Sequence, residues 1–141
     1  MQELSSTLTA LQNSQKEIIP LLQAGASTPD WSPADDRWSF RFLAAHLAAT
    51  EKECFLERAR RFQTEKNPTF SYYHNTDRDF SQQSIQDAIE IWKQSRQDLI
   101  QLVQGMDQTV RSKIATHERM GEMDVSDLLS LILDHDQEHK D

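Results

Sequence analysis

With 141 residues, 37% of them hydrophobic, the chain is long enough for one domain with a genuine core, and residues 1–141 read as a single unit. Three glycines and four prolines offer a sheet little turn chemistry, so the composition predicts an all-α fold. A formal net charge of −8, with 23 acidic against 15 basic residues, argues against nucleic-acid binding; the short apolar runs and the start Met1-Gln2-Glu3-Leu4 predict neither a membrane span nor an export signal.

Leu4, Leu8, Leu11, Ile18 and Leu22 form the apolar face of an amphipathic helix over about residues 2–24, interrupted by Gln15. Pro20 is expected to kink its last turns or start a new segment, and Gly25 to cap its end. Ser27 to Arg37 is rich in breakers and caps and predicts a long crossover. A second helix opens near Ser39, carries Phe42, Leu43, His46, Leu47 and Thr50 inward, and runs to about Phe62. Arg58-Ala59-Arg60-Arg61 reads as its solvated, dipole-favoured end.

Residues 63–79 read as a polar, aromatic loop. Ser81 or Ser84 then caps a third helix, the latter with Asp87 in capping-box position, whose buried side is Ile85, Ala88, Ile89, Trp92, Leu99, Leu102 and Val103 and whose end is near Gly105. No helical stripe is evident from Val110 to Glu118. Gly121 reads as a turn, and Asp124 with Asp127 caps a fourth helix through Val125, Leu128, Leu129, Ile132 and Leu133. Four amphipathic helices without strand partners predict a four-helix bundle with a long crossover connection.

At the end of the fourth stripe stand His135 and His139. Residues four apart on a helix differ by about 40° in direction and about 6 Å along the axis, so both imidazoles can reach one point on the core side. That spacing suits two ligands to a transition metal and asks for a third from elsewhere, for which the inward His46 is the candidate. Three imidazoles leave coordination positions open to water or substrate, but do not choose among zinc, nickel, copper and iron.

Trp38-Ser39, His46-Leu47 with Glu51 following, Gly121-Glu122-Met123, Leu128-Leu129 and His135-Asp136-Gln137-Glu138-His139 together resemble the DinB/YfiT-like superfamily of metal-dependent enzymes, over nearly the whole chain. The resemblance implies a four-helix bundle in which His46, His135 and His139 bind a divalent cation: nickel, zinc, iron or manganese. It further implies metal-dependent hydrolase or thiol-dependent S-transferase activity on a small-molecule substrate, with a low-molecular-weight thiol as a candidate cofactor, and a homodimer. Relatives continue the last helix beyond the point where Lys140-Asp141 follow His139, so this histidine is expected in a fraying last turn. The competing reading keeps the bundle as a non-catalytic binding or oligomerisation protein with a vestigial metal site.

Cys54, the single cysteine, excludes an intramolecular disulfide, fits a reducing, cytoplasmic setting, and reads as a small buried apolar residue. His117 reads as a loop or capping residue and His74 as a surface one. Glu53, seven residues after His46, lies on nearly the same face of a regular helix; it is either an acceptor or base near the site or, the preferred reading, a solvated or ion-paired glutamate. Asp134, Asp136 and Glu138 alternate with the histidines and are expected to point mostly away from them. Trp92 reads as core, Trp31 and Trp38 as flanking the crossover, with Trp38 plugging the bundle or walling the site.

Overall fold

The computed structural model describes residues 2–32 and 38–140, so residues 33–37 of the expected crossover and the final Asp141 lie outside the described residues. Helix α1 (Gln2–Ala24) continues through Pro20 and ends in a 3-10 turn at Gly25–Ser27. A Cβ on Gly25 would run into the ring of Phe40, so the glycine permits this close approach. Ser39 caps α2 (Phe40–Thr50) by accepting from Phe42 N at 3.1 Å. A π turn (Glu51–Phe55) continues α2 without a break and leads into α3 (Leu56–Thr64), making one long rod where the sequence predicts one regular helix.

Helix α4 (Ile85–Gln104) begins at Ser84, whose hydroxyl accepts from Asp87 N at 3.3 Å. The capping box of α6 (Val125–Lys140) is reciprocal: Asp124 Oδ1 accepts from Asp127 N at 2.9 Å, and Asp127 Oδ2 from Asp124 N at 3.0 Å. Between them lies the short α5 (Gln108–Arg111). The bundle comprises α1, the α2–α3 rod, α4 and α6, with α2 packed mainly on α4 and α1 on α6. Among the described residues no helix is long and apolar enough to cross a membrane.

The stretches read as irregular contribute a small sheet. Strand β1 (Thr69–Phe70) pairs parallel to β2 (Ala115–His117), which pairs antiparallel to β3 (Gly121–Met123). Gly121 closes the β2–β3 hairpin at φ 79°, a left-handed conformation that glycine adopts without a steric cost. The sheet buries Phe70, Ala115 and Met123 against the bundle.

The core has two apolar parts. One contains Leu8, Leu11, Phe55, Phe62, Leu99, Leu128 and Ile132, the other Ile18, Leu22, Leu47, Ile89 and Trp92. The buried polar residues Ser14, Gln15, Glu51, Ser95 and Arg96 fall between these two groups along their helices, and Asp136 comes after Ile132 on α6. Gln15, which breaks the first stripe, donates from Nε2 to Trp92 O at 3.0 Å.

Arg96 dominates this polar layer. Nε and Nη2 donate to Glu51 Oε2 and Oε1 at 2.7 and 2.9 Å; Nη1 and Nη2 donate to Asp136 Oδ2 and Oδ1 at 2.9 and 3.1 Å; Nη1 also donates to Leu11 O at 2.8 Å. All five donors of the guanidinium are used. Asp136 Oδ2 accepts a further bond from Ser14 Oγ at 2.8 Å. Burial opposes the charge, but the two carboxylates outweigh it and hold the guanidinium pKa above its ordinary value.

Replacing Arg96 by Met leaves two buried carboxylates without a counter-charge, so urea unfolding is expected to show a loss of roughly 3–5 kcal/mol. Removing all three charges together, as Arg96→Met with Glu51→Leu and Asp136→Leu, recovers most of that loss, because an apolar replacement of a whole buried network is close to neutral.

Candidate metal centre

His46 lies on α2 and His135 and His139 on α6, one turn apart, and the fold brings the three rings together. One ligating nitrogen from each lies within 4.8 Å of the other two, and His46 Nε2 faces His135 Nε2 at 3.2 Å. For metal–nitrogen bonds of about 2.0–2.1 Å, ligand atoms at right or tetrahedral angles stand about 2.9–3.4 Å apart. The His46–His135 separation falls in that range, and three imidazoles are a donor set suited to a divalent ion.

A chain of hydrogen bonds fixes the proton on His46. Tyr73 Oη donates to an acceptor-only group, Glu53 Oε1 at 3.1 Å or Ala49 O at 3.4 Å, and so accepts from Asn75 Nδ2 at 2.9 Å. The second proton of that amide goes to Thr50 Oγ1 at 3.1 Å. Asn75 Oδ1 is left facing His46 Nδ1 at 2.6 Å, which must carry the proton. His46 Nε2 thus presents a lone pair toward the cluster, the tautomer a metal ligand needs. Arg78 anchors the far end of the chain with Nη1 at 2.8 and 2.9 Å from the two Glu53 oxygens.

Burial disfavours charge on all three imidazoles. It lowers His46 against an opposing contribution from Asn75, brings His135 to about 3 with help from His139, His46 and Arg96, and brings His139 to about 4 with help from His46. The cluster is neutral at ordinary pH and offers lone pairs. Trp38 walls it, stacking on His139 at 5.1 Å between centroids and tilting against His46 at 4.7 Å, while the edge of Phe55 meets His135 at 5.4 Å.

The cluster opens into a pocket of about 460 Å³ between the α2–α3 rod, the loop after β1, the β2–β3 hairpin and α6. Several sequence expectations change here. Arg58 is buried, donating from Nη2 to Ser71 O at 2.9 Å, while Arg60 and Arg61 stay closer to solvent as expected. Cys54 is buried as expected and lines the pocket; burial, with Glu51 assisting and Arg58 opposing, pushes its thiol to about 11 and keeps it protonated.

His117 combines two roles. Its Nδ1 accepts from Arg119 N at 3.0 Å and Met120 N at 3.2 Å, capping the hairpin as expected, while the ring also lines the pocket. Glu53 is exposed and ion-paired to Arg78, the preferred reading, yet it reaches His46 through Tyr73 and Asn75. The π turn explains its departure from the histidine's face, since one extra residue in a turn rotates the downstream positions by up to about 100°. His74 is exposed at the pocket mouth, Trp92 is core, and Trp31 is exposed and stacked on Phe40.

Sequence reading missed Asn75, which sits in the 63–79 loop with no periodicity to mark it, and the buried partnership of Glu51, Arg96 and Asp136. The latter had a signal: Arg96 falls inside an apolar stripe, four residues after Trp92 and three before Leu99, and Asp136 continues the register of its own stripe, four residues after Ile132.

The family model of the DinB superfamily matches residues 9–140. Among solved structures, the fold is similar to YfiT from Bacillus subtilis, described as a probable metal-dependent hydrolase with an unusual four-helix bundle topology. The TM-score is 0.83 at 14% identity, covering 99% of this chain and 83% of that one. No curated protein matches the chain.

The depressed imidazoles set a pH dependence in metal-free protein. Below pH about 6.5 the unfolded chain takes up protons that the folded cluster refuses until about pH 3–4, so stability falls as pH falls through that window. Urea unfolding between pH 7 and 5.5 is expected to show this decline, and His135→Gln to remove roughly 1 kcal/mol of it, one imidazole's share.

Proposed function

The chain belongs to the DinB superfamily, and from that premise we propose that it is a metal-dependent hydrolase acting on a small molecule, with His46, His135 and His139 as the metal ligands. The observation that carries this reading is the convergence of three imidazole nitrogens within 4.8 Å at the wall of an open pocket. Nickel, zinc, iron and manganese are all compatible with this donor set. A divalent ion held there supplies Lewis acidity, lowering the pKa of a bound water and polarising a substrate carbonyl.

The protein's own groups supply the remainder. Asn75 orients His46 and keeps its proton on Nδ1, so that ring is already turned for ligation. Trp38 and Phe55 shield the imidazoles from bulk water. Asp134 and Glu138 line the pocket beside His135 and His139, and in this reading their carboxylates accept a proton from a water or substrate group.

A small thiol delivered to the same centre, giving S-transfer in place of hydrolysis, is the variant of this reading that the open pocket accommodates. A reducing, cytoplasmic setting agrees with a buried thiol as the only sulfhydryl. Pairing into a homodimer is the corresponding proposal for assembly, read out by sedimentation.

Metal analysis after native purification tests the ligand set. We expect about one divalent ion per chain in the wild type and almost none in His135→Ala. Absence of metal from both, with no rise in melting temperature on adding nickel or zinc, would remove the reading. Asn75→Ala is expected to weaken zinc or nickel affinity by about 10–100-fold in a competition titration, since it leaves all three ligands but frees the His46 ring.

A further inference from the structure

His46, Thr50, Cys54 and Arg58 recur at four-residue steps along the α2–α3 rod, and all four line the same pocket. In a regular helix three such steps would carry Arg58 about 120° round the axis from His46. The π turn at Glu51–Phe55 adds one residue and returns about 100° of that rotation. It thereby extends one pocket wall from the histidine cluster to a guanidinium some three helical turns away, about 18 Å along the axis at the backbone.

Arg58 is buried, yet among the described residues no carboxylate is in ion-pair contact with it. Its partners are the Ser71 carbonyl and the face of Phe70, 5.2 Å from the ring centroid. Buried charges are ordinarily paired, because desolvation is costly. Beside it stands His117, paired in register with Phe70. With Nδ1 accepting two backbone N–H groups, the neutral ring carries its proton on Nε2 and is a donor. Arg119, its guanidinium 3.7 Å from the Tyr72 ring centroid, adds a third donor at the pocket edge. Among the described residues, the acidic ones lining the pocket are Asp134 and Glu138, on α6 with His135 and His139, at the other end.

We propose that the pocket takes a small molecule bearing a carboxylate, which Arg58 and the Nε2–H of His117 hold at the end remote from the three histidines. One buried guanidinium and one neutral imidazole donor match a single negative charge better than the double charge of a phosphate. Asp134 and Glu138 repel an anion from the histidine end, so the molecule enters in one orientation, with its reacting group at the histidines. The inference rests on the histidine cluster being the reacting end, while the carboxylate seat is built from residues outside it.

The test compares hexanoate with hexanamide by calorimetry on the full chain, both metal-free and zinc-loaded. Hexanoate is expected to bind at least about tenfold more tightly than the amide in both forms. Arg58→Gln abolishes this preference while leaving hexanamide affinity within about twofold, Arg58→Lys retains part of it, and His117→Asn lowers it about threefold. Asparagine at 117 can still accept the two backbone bonds through its carbonyl oxygen but lacks the Nε2–H. Circular dichroism verifies folding; if Arg58→Gln does not fold, the decision passes to the other two variants.

Equal affinity for acid and amide in the wild type overturns the proposal, as does a preference that survives every foldable variant. Hexyl phosphate binding more tightly than hexanoate also overturns it. Zinc content is measured on the same samples. A carboxylate preference without zinc binding would sink the metal reading alone; zinc retained by the histidines without that preference would sink the carboxylate seat alone.

Discussion

A single buried guanidinium sets the geometry on which the site depends. Arg96 sits on α4 and reaches Glu51 on the long rod, Asp136 on α6 and a backbone carbonyl of α1, so one side chain ties all four helices of the bundle together. Sliding or rotating any one of them would strip a charge-assisted bond from a guanidinium that is 1% exposed. Such a network contributes little net stability compared with apolar packing; its value here is that it admits one rotational setting. Asp136 faces the bundle axis, and His135 and His139 lie about 100° and 60° to one side of it, so aiming that carboxylate aims both imidazoles.

Much of this was legible from the sequence, in proportion to how local the determining physics is. Stripes such as Val125, Leu128, Leu129 and Ile132 mark helix faces, and the capping pair Asp124 and Asp127 marks a helix start, because both signals lie within a turn or two of chain. The grouping of His46 with His135 and His139 was also legible, since each has an inward register and the residue types share a chemistry. The strands were not: two or three residues are too few to show alternation, and Phe70 with Ala115 meets its neighbours only after the helices have brought their loops together.

The π turn was hidden for a different reason. Its five residues, Glu51 to Phe55, are ordinary helix formers, and no local preference asks them to widen the turn. What the wider turn accommodates is tertiary: Glu51 reaches Arg96 in the core while Cys54 and Arg58 still face the pocket. A regular rod would put Glu53 on the histidine's face and Arg58 toward solvent, and the one extra residue moves both. Asn75 eluded the sequence because its importance lies in a partner 29 residues away.

The path from Glu53 through Tyr73 and Asn75 to His46 joins two events that are usually separate. Within the loop the buried Asn75 bonds to Tyr73 and accepts from Arg78 N, and on the neighbouring helix it bonds to His46 and Thr50. Local opening of the 71–80 segment and release of the His46 ring are then one equilibrium, and an ion that selected the held ring would by linkage make the open loop less populated. The same connection runs outward: whatever perturbs the exposed Glu53–Arg78 pair is felt, through three hydrogen bonds, as a change in how firmly a lone pair is presented at the centre of the bundle.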